Sequence, residues 1–168
     1  MSNLRLINET SATSVSSVDI TDVFSADFDI YKITGVGDFT TGNGKIYARF
    51  INSSGSVVTS SNYDWAVLSM ESGSSFNEIR STNDSSLNRI AYSNNGADFG
   101  FTTYIFNPYS LSSYSFGLWQ SEGVPSGGGL SIKGIGVLKQ TASMTGIQFF
   151  NVDFTDISVK CYGLRVDS

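Results

Sequence analysis

The sequence contains no histidine, one cysteine (Cys161), two prolines and only 15% charged residues. Without imidazole, the Ser-His-Asp and Cys-His catalytic arrangements and the usual proton shuttle are excluded, and so are most zinc sites. A single cysteine makes neither an intramolecular disulfide nor a thiolate cluster; on an apolar strand it serves as a small buried hydrophobe. No apolar run reaches the 18 residues that mark a membrane helix. The start of the chain, Met1-Ser2-Asn3-Leu4-Arg5, has no apolar stretch suited to a secretory signal, so no signal peptide is expected. Ten basic residues are scattered singly in a chain of net charge −5, which argues against nucleic acid and against an anionic membrane surface as partners. There is no P-loop or dinucleotide fingerprint, since Gly127-Gly128-Gly129 is not followed by Lys-Ser/Thr. The expectation is a protein with no catalytic residues, no cofactor and no metal.

What is abundant is small and polar. Serine, threonine, asparagine and glycine supply 71 of 168 residues, and aromatics another 13%. These types suit strand faces and tight turns rather than helix interiors. Lys45–Ile51 alternates, with Ile46, Ala48 and Phe50 opposite Lys45, Tyr47 and Arg49. Tyr63–Met70 alternates too, and Ala66 and Leu68 are assigned to the core. Phe149 or Phe150, Ile157, Val159 and Cys161 complete the expected core. Asn52-Ser53-Ser54-Gly55, Asn94-Asn95-Gly96 and Asn107-Pro108-Tyr109-Ser110 have turn chemistry. In the last strand Leu164 and Val166 fall out of phase, and a bulge at Gly163 restores them. With nine or ten short strands, no helical period and no linker, the predicted fold is all-β: one domain over residues 1–168, a two-sheet antiparallel sandwich, jelly-roll-like. Residues 1–11 read as an arm, because Ser11–Ser17 is too small and polar to pack.

Two kinds of surface stand out. Glu71–Asn88 and Ser121–Gly129 read as irregular loops, and a rigid sandwich places contacts on such loops. The first holds Phe76, Ile79 and Arg80, assigned here as partner contacts. Aromatics around the Asn107 turn and the two tryptophans offer flat apolar area with polar tips, so Trp65, Tyr109 and Trp119 are the expected glycan contacts. The carboxylates Asp19, Asp22, Asp27 and Asp29, and the pair Asp153 and Asp156, fit turn capping; calcium binding and glycoside hydrolysis are the other chemistries open to them. Three glycosylation sequons, at Asn8, Asn52 and Asn83, are expected by chance in a chain this rich in serine and asparagine.

Several stretches resemble small β-rich virion structural proteins of tailed bacteriophages, particularly those of marine bacteria. They are Ser14–Ile20 leading to Phe28–Ile33, Ala48–Ile51 through Ser54–Val58, Asn62–Trp65, Tyr104–Pro108 and Val159–Leu164. The resemblance implies a non-enzymatic virion subunit, either head decoration (cement) or part of a tail appendage such as a fibre. Such a subunit is made in the bacterial cytoplasm and docks on other virion proteins. A homo-oligomer, with a trimer favoured, goes with that reading. A carbohydrate-binding module for host surface glycans is the alternative.

Overall fold

The computed structural model describes residues 3–40, 42–73, 76–94, 96–125 and 128–164. Ten strands account for most of them: β1 (Leu4–Ile20), β2 (Ile30–Phe39), β3 (Asn43–Asn52), β4 (Tyr63–Glu71), β5 (Asn77–Asp84), β6 (Leu87–Asn94), β7 (Phe99–Phe106), β8 (Ser115–Gly123), β9 (Leu130–Leu138) and β10 (Met144–Leu164). All pairings between them are antiparallel. The order is β5-β4-β9-β8-β7-β2-β10-β3-β6, with β1 also on β10.

The long strand β10 joins the two layers. Its first part, Met144–Phe150, pairs with β3, its second, Phe154–Leu164, pairs with β2, and β1 follows it along both. The ladder therefore folds over into a large sheet ending at β5 and a small sheet ending at β6. Strand β6 lies across the core from β7, β8 and β9. This is the all-β, jelly-roll-like sandwich that the alternation predicts.

Between the layers the core is aromatic. Tyr31, Phe39, Phe50, Tyr63, Trp119, Phe149 and Phe154 are fully buried, and rings such as Phe39 and Phe99 stack at 4.7 Å between centroids. Room for them comes from glycines on the neighbouring strand. Gly35 sits under Phe101, Gly134 under Trp119 and Gly163 under Phe28, where any Cβ would collide with the ring. The two buried tyrosine hydroxyls are satisfied. Tyr63 Oη accepts from the Phe50 amide and donates to the Val58 carbonyl, both at 3.0 Å, and Tyr31 Oη does the same with the Ser25 backbone.

Several expectations are corrected here. Residues 4–11 are no arm: they are the first part of β1, paired with Ser158–Leu164, and Ile7, Ala12 and Val15 pack against the core edge. Glu71–Asn88 is no irregular loop, because β5 pairs with β4 through most of it. It was illegible because an edge strand with polar residues on both faces carries no period-2 apolar signal. In β4 the alternation is right but the faces are exchanged: Tyr63, Trp65 and Val67 point inward, while Leu68 is 42% exposed and Ala66 half-buried. Gly163 makes no bulge; the alternation runs on, and Gly163 itself takes the inward position. The irregularity in the ladder lies between Phe154 and Asp156 instead. Val166 lies outside the described residues. Ser121–Gly129 is strand up to Gly123, and Ser126 and Gly127 lie outside the described residues. Ile46, Ala48, Phe50, Phe149, Ile157, Val159 and Cys161 are core, as the sequence indicates.

Candidate functional site

The outer face of the large sheet carries an open cleft of about 700 Å³ over β2, β7, β8 and β9. Its geometry follows from register. Lys32, Tyr104, Leu118 and Ile135 form one row across the four strands, Thr34, Thr102, Gln120 and Lys133 the next, and Val36, Gly100, Glu122 and Ser131 the third. None of these three ladders has a bulge. Because strand side chains alternate between faces, every residue in these rows projects to the same side.

The floor drops at Gly100, where an added Cβ would meet nothing within 4 Å. Around that gap the walls are chemically mixed. The side chains of Thr34, Thr102, Tyr104 and Gln120 have no hydrogen-bond partner among the described residues, and the same holds for Lys32 and Lys133. Glu122 is engaged, accepting from Ser131 Oγ at 2.8 Å. The cleft thus offers hydroxyls, an amide and two ammonium groups around the apolar bodies of Tyr104 and Leu118. An apolar shoulder borders it: Leu68, Met70, Ile135 and Phe116 are exposed on the same face, with Val36 on the opposite flank.

The expected glycan contacts are not gathered here. The Trp119 ring is 1% exposed and points into the core beneath the cleft, where its indole N–H donates to the Arg89 carbonyl at 2.9 Å. Trp65 is buried as well, its indole donating to Asp84 Oδ2 at 3.0 Å. Tyr109 is exposed on the turn after β7 but does not line the cleft. Among the expected partner contacts, Phe76 is 71% exposed beside a second recess formed by Met70, Gly123 and Leu130. Arg80 is exposed and reaches Glu78 at 3.7 Å. Ile79 is partly buried and packs against the core edge.

Tyr104 is one of the aromatics beside the Asn107 turn; the residues missed by sequence reasoning are Lys32, Thr34, Gly100, Thr102, Gln120 and Lys133. Their only local signal is that they occupy the polar positions of alternating strands.

The remaining acidic residues do not converge. Asp19 accepts from Gln148 Nε2 at 2.8 Å, Asp64 pairs with Lys139 at 2.8 Å, and no group of three metal-ligating side chains occurs among the described residues. The Lys139 ammonium and the Asn83 amide hold the Asp64 carboxyl below its usual range. The sequon asparagines are put to local use: Asn52 Oδ1 accepts from the Ser54 and Ser56 amides, and Asn83 Oδ1 accepts from Lys139.

No protein-family model matches the chain, and no curated protein does. Some solved structures align with it at low similarity. An endo-β-1,4-glucuronan lyase from the fungus Trichoderma reesei aligns over 94% of this chain and 80% of its own, with 6% identity and a TM-score of 0.35. A marine alginate lyase from Aplysia kurodai aligns over 86% and 72%, with 10% identity and a TM-score of 0.35. A single-site mutant of congerin II aligns over 92% and 99%, with 9% identity and a TM-score of 0.30. At these TM-scores the likeness carries no argument about function.

Proposed function

We propose that this protein is a non-catalytic binding subunit that holds an extended saccharide chain across the outer face of its large sheet. The observation that carries the reading is the cleft itself. It is open along the sheet, lined by unpartnered hydroxyl and amide groups around an aromatic ring, and has free space above Gly100, where no side chain stands. Saccharides need this combination: apolar area for the ring faces and polar groups for the hydroxyls. Among the cleft-lining side chains Glu122 is the one carboxylate, and Ser131 engages it. Hydrolysis by the usual pair of carboxylates has no second member there.

Gly100→Leu tests this. The site is roomy and β7 has ordinary strand geometry at this position, so the variant keeps the wild-type melting temperature. It fills the cleft floor and loses saccharide binding on a glycan array and by calorimetry. Undiminished binding in this variant, or no binding by the wild type, would overturn the reading.

A second reading is favoured by the apolar shoulder of Leu68, Met70, Ile135 and Phe116. Exposed apolar side chains gathered on one face suit a protein–protein contact. In that reading the chain is a virion subunit that attaches by the β4–β9 side of the sheet and leaves the β2–β7–β8 side free. Sedimentation equilibrium is expected to show a trimer that Leu68→Asp with Ile135→Asp dissociates. A monomer at high concentration, unaffected by these changes, would count against it.

A further inference from the structure

We infer that the ligand of this cleft is a polyanionic saccharide, whose carboxylate or sulfate groups are held by Lys32 and Lys133; the inference rests on the saccharide reading above. The protein is acidic overall, and most of its described cations are already engaged. Lys139 pairs with Asp64 and Lys160 with Glu9. Arg80 pairs with Glu78. Arg49 donates to Ser85 and lies over Phe150, and Arg89 lies over Tyr92. Lys32 and Lys133 have no partner among the described residues, and both line the cleft. A cation left free in a concavity, on a chain with an excess of carboxylates, is placed for an anion from outside.

Their spacing suits a chain rather than a single ion. Lys32 is on β2 and Lys133 on β9, three ladder steps apart and one row removed along the strands. At about 4.8 Å per ladder step and 3.4 Å per residue, with two residues to a row, their Cα atoms stand roughly 16 Å apart across the cleft. Between them lie Thr102, Tyr104, Leu118 and Gln120. A ligand spanning this distance must present a negative group at each end of a neutral, hydroxyl-rich stretch, as a chain with repeated acidic sugars does. The one carboxylate among the cleft-lining side chains, Glu122, accepts from Ser131 in the third row.

The test compares three probes on the intact protein: a neutral glucan, oligogalacturonate for the carboxylate source and dextran sulfate for the sulfate source. Lys32→Gln and Lys133→Gln are each expected to weaken binding of the acidic probes about tenfold, the cost of one charge-assisted contact. The double variant loses binding, while Arg5→Gln, an unpartnered cation away from the cleft, leaves it unchanged. Whichever acidic probe binds more tightly identifies the anion. If the neutral glucan binds as well as the acidic probes and the lysine variants match wild type, the inference falls and the saccharide reading stands. If none of the probes binds, both fall. Shortening of the oligogalacturonate during the measurement would overturn the non-catalytic reading on which the inference rests.

Discussion

Gly134 shows how a single missing side chain sets the core. It lies directly opposite Trp119 in the β8–β9 ladder, and an added Cβ would run into the indole. The indole cannot retreat without giving up its hydrogen bond to Arg89, whose carbonyl would then be left without that donor. Gly134→Ala is therefore expected to lower stability by about 1–3 kcal/mol, the usual cost of overpacking a dense core. Urea titration followed by tryptophan fluorescence measures it directly. Gly100, on the opposite face, is the contrasting position, because a side chain there is expected to cost binding and spare the fold.

At the scale of elements, β10 is the strand on which both sheets depend, and β1 is its cover. Were β1 absent, β10 would expose an unpaired edge from Ile147 to Leu164, a template for association with other chains. Deleting residues 1–11 removes the part of β1 that pairs with Ser158–Leu164. The expected result is a loss of more than about 2 kcal/mol, from several net hydrogen bonds at about 1 kcal/mol each. Aggregation at lower temperature should accompany it, as light scattering during a thermal ramp would show. A truncated protein as stable and as soluble as the full chain would mean that these residues contribute nothing to the sandwich. The edge strand β5 is likewise tied in, since Asp84 at its end accepts the Trp65 indole and Leu87 beyond it is core.

For the molecule as a whole, the buried ionisable groups predict its response to pH. Burial pushes the Cys161 thiol from 9.0 up to about 12. Burial also raises Tyr63 and Tyr31 above their ordinary value of 10.0. In each case the folded state holds a proton that the unfolded chain releases at lower pH. The stabilisation is therefore complete below about pH 9 and declines as pH rises from 9 toward 12. The midpoint of urea unfolding should be flat from pH 7 to 9 and fall steeply above it, with a shallower fall in Tyr63→Phe. A midpoint that held steady to pH 11 would contradict the burial of these groups.

The sequence by itself determined the local structure, because period-2 alternation and turn residues act over a few neighbours. Ile46, Ala48 and Phe50, the Asn52–Gly55 turn with its positive φ at Gly55, and the C-terminal run through Cys161 were all legible in this way. Alternation has no sign, however. In β4 both faces are largely apolar, and only packing against β6 and the core chose Trp65 and Val67 over Leu68 and Met70. Trp119 looked like a glycan platform until the ladder put Gly134 opposite it, which makes burial sterically possible. The cleft was invisible for the same reason: its lining residues come from four strands spread over about a hundred positions. No local rule brings Lys32 into one concavity with Lys133. Only the tertiary pairing of β2 with β7, β8 and β9 does so, because hydrogen-bond register is fixed between strands and not along them.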